Sequence, residues 1–446
     1  MRHRAAAHNS RWMRFALFAF LSFAFWLLPA ASAQSNTTRT RIHVPDDTPD
    51  PALVAARAAM DHKDYAEAVR SYQKYLATKP DDADAHFDLG NAYASLKQNA
   101  DATTEYEKAI SIDPKLDAAY MNLGIILMET DPAAAVAPLQ KAAELLPKEF
   151  RPQFLLGWAY ERAGKADLAI EHYREAEKLD EKNSDIHFAI GRVLLSSHQP
   201  ADSETEFRAA IAADPSNAQA HLGLSQALMA EKKYEEAAGE LGAYLEARPT
   251  DTEARVARAL ALAKLGRNEE ALAELDRAAA EPSQERLSAL KLRGQILFQL
   301  KRYDDAIAVL EKAAKAAPQD PDIPAQIGHL YLEKRAYPDA ARELLVAFKM
   351  KPQSNDVLGE LVAAEYLGKN YESALKALDL LSQREELPAG TVFIRATCYD
   401  KLGQAAQALD WYQKFLQLNK DENNDMYFEA TARVRFLTRE IKEKKK

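Results

Sequence analysis

Residues 83–114 read ADAHFDLGNAYASLKQNADATTEYEKAISIDP, and this stretch decides the fold. Around Ala102, Gly90 lies twelve residues earlier, Tyr106 four later and Pro114 twelve later. The small residue recurs along the chain at Ala68, Ala102, Ala135, Ala169, Ser203, Ala237, Ala271, Ala306, Ala340, Ala374 and Ala408. All ten intervals stay within one residue of 34. A period of this length marks an array of supersecondary units rather than separate domains.

Other positions keep the phase. A large residue follows four places on, as at Tyr72, Leu139, Tyr173, Phe207 and Tyr412. A small one precedes, as at Gly124, Gly157, Gly191, Gly294 and Gly328, and only Val362 is bulkier there. Proline closes most units, at Pro80, Pro114, Pro147, Pro215, Pro249, Pro318 and Pro352. The spacing predicts two helices per unit. Small residues on both allow close approach, the large residue lies one turn away on the second helix, and proline stops that helix. With Ala, Leu, Glu and Lys abundant and only 15 glycines in 446 residues, the chain reads as all-α.

These are the marks of the tetratricopeptide repeat, which the chain resembles over about residues 49–422, in eleven units. The resemblance implies a right-handed α-solenoid with a continuous core, since single units cannot bury their apolar stripes alone. Unit three is one residue short at Thr130-Asp131-Pro132, and unit seven one residue long near Glu281-Pro282-Ser283. Irregular stacking is expected near residues 280–287 and 384–390.

Both ends differ from the array. Residues 1–33 read as a secretory signal peptide, with Arg2, Arg4, Arg11 and Arg14 before an uncharged apolar run from Phe15 to Leu28 and then Ala31-Ser32-Ala33. The run is short for a membrane span; an uncleaved anchor is the alternative. Export to the periplasm or beyond, from a bacterial source, is the expectation. Residues 34–48 read as a disordered polar lead-in. Within 423–446, Tyr427, Ala430, Val434, Leu437 and Ile441 form one face of a capping helix, with Arg433, Arg435 and Arg439 elsewhere and lysines from Lys442 to Lys446. Membrane contact is expected only through an uncleaved signal or this basic tail.

Charge and motifs restrict function. Removing the first 33 residues takes four of 58 basic residues and no acidic ones, leaving 54 against 67 and a net charge of −13. That surface disfavours nucleic acid. A single cysteine, Cys398, excludes an internal disulfide framework and reads as a packed thiol. Metalloprotease, phosphate-loop and nucleophile-elbow motifs do not occur, so no catalytic, cofactor or metal residues are expected. His86, His187 and His221 share one place in their units, and packing on the first helix is favoured over metal binding. His329 is a weaker candidate for the groove.

In the family that the chain resembles, the first helices line a concave groove. Phase then puts Phe87, Met121, Phe154, Phe188 and Leu222 in it, with Asn91, Ile125, Trp158, Arg192 and Gln226, and with Ala94, Met128, Glu161, Leu195 and Met229. Met and aromatic side chains suit varied partners, so a protein or peptide segment is the expected ligand. Phe87, Phe154 and Phe188 have the alternative of packing between neighbouring helices. Carboxylate clamping is disfavoured, because Asn91 and Asn122 have no matching lysines. The expected function is a non-catalytic binding scaffold or adaptor of the cell envelope; the alternative is a structural subunit of an envelope secretion or polysaccharide-export apparatus.

Overall fold

The computed structural model describes residues 50–279, 286–419, 421 and 425–443. Among them are 23 α-helices and no strand. The expected signal segment, lead-in, most of the seven-to-eight junction and the last three lysines lie outside the described residues. The chain divides into two compact units, with the boundary between Gly164 and Lys165.

The first unit holds α1 (Pro51–Asp61), α2 (Tyr65–Leu76), α3 (Ala83–Ser95), α4 (Asn99–Ile112), α5 (Asp117–Thr130), α6 (Pro132–Leu145) and α7 (Phe150–Arg162). The second opens with α8 (Ala166–Leu179), α9 (Ser184–Ser196), α10 (Pro200–Ala213), α11 (Ala218–Ala230), α12 (Tyr234–Ala247), α13 (Thr252–Lys264) and α14 (Asn268–Ala278). It continues with α15 (Leu287–Gln299), α16 (Tyr303–Ala316), α17 (Asp322–Glu333), α18 (Tyr337–Met350), α19 (Asn355–Leu367) and α20 (Tyr371–Ser382). Last come α21 (Ala389–Lys401), α22 (Ala405–Leu418) and α23 (Asp425–Glu443). Within each unit a helix packs on its chain neighbours. Odd-numbered helices also touch the next odd ones, α5 on α7 in the first unit and α9 on α11, α13 on α15 and α17 on α19 in the second. These helices form the inner wall of each unit.

The conserved-phase residues explain the packing. Ala68, Ala102 and Ala135 are fully buried, and so are their counterparts in the second unit from Ala169 to Ala408. The one serine of the series, Ser203, disposes of its hydroxyl by donating to the Gly191 carbonyl at 2.7 Å. A Cβ on Gly90 would come within 2.6 Å of the Tyr106 ring, so the ring itself occupies the space that glycine leaves. A side chain there would force the two helices apart.

The turn inside each helix pair uses one device. Lys63, Lys97, His198, Lys232, Lys301, Arg335 and Lys369 have φ between 59° and 64°, and Gly164, Gly266 and Gly403 between 70° and 76°. The following amide reaches back to close the helix, as Gln98 N donates to the Tyr93 carbonyl at 2.9 Å. This is the left-handed C-terminal cap that satisfies orphan carbonyls. Only the third pair differs. Its missing residue is the left-handed one, and Asp131 instead accepts from the amides of Ala133 and Ala134 at 3.1 Å, with Pro132 opening α6.

Between pairs, the Asp-Pro linkers are held by side chains. Asp113 accepts from Lys115 N and Asp214 from Ser216 N, each at 2.9 Å. The linker over residues 383–388 has six residues, as does that over 77–82, so its length does not set it apart. At the C-terminus α23 packs on α22, burying Ala430 and Leu437, and Arg433 forks onto Asp400 of α21.

Candidate partner-binding site

The inner wall of the first unit carries Phe87, Asn91, Met121, Ile125, Phe154, Trp158 and Glu161, all half-buried. Their helical phase puts them beside, not within, the core. Phe87 tilts against Tyr106 with ring centres 5.9 Å apart. Met121, Ile125 and Trp158 pack against the cluster of Leu139, Leu155 and Leu156 while keeping part of their surface open. Met128 is a correction. It is only 2% exposed and belongs to that cluster, because α5 and α7 close over it.

In the second unit Phe188, Arg192, Leu195, Leu222 and Met229 are half-buried, and Gln226 is exposed. Phe188 tilts against Phe207 at 5.9 Å, and the Arg192 guanidinium lies 5.9 Å from the Phe188 ring centre. The three groove phenylalanines are thus neither sealed between helices nor freely displayed. Further along, His329 Nδ1 lies 3.0 Å from Glu360 Oε1 and its ring 5.3 Å from Phe298. The Glu360 hydrogen bond outweighs burial and raises the His329 pKa above the ordinary imidazole value.

Asn91 and Asn122 are tied to each other. Asn122 Nδ2 and the Tyr106 hydroxyl both donate to Asn91 Oδ1, each at 2.8 Å. This gives the pair a built orientation on the wall.

The histidines pack as expected and also do more. His86 Nδ1 lies 2.5 Å from Glu105, His187 Nδ1 2.9 Å from Glu206 and His221 Nδ1 2.6 Å from Glu240. Each partner stands 19 residues downstream. That fixed separation was a readable signal that residue-by-residue inspection passes over. One ligand-type atom each of Glu177, His187 and Glu206 lies within 4.8 Å of the others. Arg174 donates to Glu177 at 2.8 Å and to Glu206 at 2.6 Å, so both carboxylates are held in an ion-pair network. Cys398 is fully buried, and burial pushes its thiol up to about 12, far from a reactive thiolate. The outer face of α23 leaves Phe428 and Phe436 exposed, which the sequence reading did not foresee.

Comparison with known proteins agrees with the helix pairs. Tetratricopeptide repeat profiles match residues 53–117, 118–184, 188–252 and 253–321, and two others match 297–349 and 389–422. Anaphase-promoting complex subunit 3 of Schizosaccharomyces pombe is 26% identical over 178 residues, 40% of this chain and 27% of that protein. Small glutamine-rich tetratricopeptide repeat-containing protein 2 of Saccharomyces cerevisiae is 28% identical over 103 residues, 22% of this chain and 30% of that one. The chain thus spans under a third of these curated relatives. Among solved structures, MamA of Desulfovibrio magneticus shares 20% identity at a TM-score of 0.36, covering 37% of this chain and 94% of its own. A tetratricopeptide repeat protein from Parabacteroides merdae shares 16% at 0.40, covering 56% and 98%. With repeat profiles matched across more than half its length, the chain belongs to the tetratricopeptide repeat family.

Proposed function

We propose that this chain is a non-catalytic scaffold that holds segments of other proteins against the inner walls of its repeat units. The carrying observation is the row of Met121, Ile125 and Trp158, whose apolar surface is only half used by the core. Partly open apolar side chains in a contiguous row mark contact surfaces. An extended or helical apolar segment fits that chemistry, and the excess of acidic over basic residues, 67 against 58, argues against nucleic acid. Action at the cell envelope is part of the reading. Its support is the Arg-rich start, the apolar run from Phe15 to Leu28 and the Ala31-Ser32-Ala33 pattern.

A photo-crosslinking residue placed at Trp158, and in a second variant at the exposed Gln140 of α6, tests the site in cells. A defined protein adduct from position 158 and not from 140 is the expected result. Equal labelling from both, or none from 158 in a folded variant, would end the proposal. Fractionation of the same cells tests the location: a cytoplasmic pool with an intact N-terminus would refute export.

A further inference from the structure

His187, near the start of α9, has an acceptor at each ring nitrogen. Nε2 lies 3.1 Å from the Glu181 carbonyl oxygen in the linker after α8. Nδ1 lies 2.9 Å from Glu206 Oε2 on α10 and 3.7 Å from Glu177 Oε1 on α8. A carbonyl and ionised carboxylates only accept, while a neutral imidazole has a single N–H. Only the imidazolium satisfies both sides at once. The remaining charge facing the ring's partners is Arg174 of α8, which bonds both carboxylates and leaves room for one further positive charge.

A second unit supplies an internal control. Arg255 occupies the same register on α13, and it is always cationic. It donates to the Pro249 carbonyl, six residues upstream, at 2.7 Å and to Glu274, 19 downstream, at 3.1 Å. His187 makes the same two contacts at the same separations. The site is therefore one that a double-donor cation fills.

We propose that His187 is a proton-operated latch: its imidazolium ties the linker after α8 and the first turn of α9 to α10, and loss of the proton releases them. Burial is the largest single influence on the ring and disfavours its charge. The Glu206 hydrogen bond, the Glu181 carbonyl and the charges of Glu206 and Glu177 outweigh it, so the His187 pKa is raised above 6.5. A raised histidine pKa gives stability that is complete below the unfolded value and is lost as pH rises through the folded one. The latch therefore closes in acid and opens as pH rises through the raised folded value.

Amide hydrogen exchange of residues 183–187 in the full chain, corrected for intrinsic rates, reads the latch directly. Between pH 6 and 8.5 the wild-type protection is expected to fall as the ring loses its proton. His187→Arg is expected to hold protection constant across that range, and His187→Gln to be weakly protected throughout. A wild-type profile that stays flat, or a His187→Arg profile that follows the wild-type slope, overturns the proposal. So does zinc chloride added to chelator-treated wild type, if it raises protection at pH 7.5 and fails to do so in His187→Gln. Should a variant not fold, the ring nitrogen shifts of the wild type decide: a ring that titrates above 6.5 is expected, and one that titrates at or below it refutes the latch.

Discussion

Tyr106 and Asn91 are joined twice over: the Tyr106 hydroxyl donates to Asn91 Oδ1 at 2.8 Å, and the ring below it fills the gap left by Gly90, the residue before Asn91. The residue that closes the helix pair from inside thus fixes an amide on its inner wall. Asn91→Ala leaves the hydroxyl, whose ring is 1% exposed, without this acceptor. Destabilisation of about 1–3 kcal/mol is expected, against about 1 kcal/mol for Tyr106→Phe, which removes the donor and spares the Asn122 contact. Urea unfolding of both variants checks the order.

The left-handed turn residues other than glycine carry a steric cost. Lys97, at φ 59°, is one of seven among the described residues. Lys97→Gly relieves the clash between Cβ and carbonyl and gives back some chain entropy, for a net stabilisation of about 0.5–1 kcal/mol. A lower melting temperature for the glycine variant would refute this.

Asp88 gives the first unit a pH dependence. Burial raises its pKa to about 6, although the Tyr72 hydroxyl donates to it at 3.1 Å. A carboxyl with a raised folded pKa contributes stability below its unfolded value that is lost as pH rises through about 6. Asp88→Asn keeps an acceptor and cannot ionise. Its stability between pH 4 and 7 is expected to be flatter than the wild type's, as followed by thermal unfolding monitored by circular dichroism.

Arg433 holds the last helix through a two-pronged contact with Asp400, whose side chain is 12% exposed. Arg433→Met leaves that carboxylate with the Tyr412 hydroxyl, at 3.3 Å, as its remaining partner and is expected to cost about 2 kcal/mol locally. Limited proteolysis should then cut α23 well before α21. Simultaneous loss of both would show that α23 is not held by this pair.

The helix pairs and their order were legible because the packing depends on residue size at fixed phase: Gly90 leaves the space that the Tyr106 ring fills, Ala102 is buried in the same cluster as Tyr106, and each is readable from its size alone. The wall was legible only in outline. Phase placed Trp158 and Met128 on the same strip, but the strip's edge depends on how closely α5 and α7 approach, and that closes over Met128. The pairing of His187 with Glu206 went unread because it joins helices of one pair through partners 19 residues apart, outside any helical period. Phe428 and Phe436 were missed for a related reason: attention to the buried face of α23 says nothing of the opposite one.

The third helix pair makes its corner with Asp131 and Pro132 instead of a left-handed residue, and spends one residue fewer. Two interchangeable corner pieces of unequal length therefore exist in one polypeptide. Moving the shorter piece into another pair would subtract a residue without touching a helix. It offers an engineer a vernier, a way to shift the frame of everything downstream by a single step while leaving each interior intact.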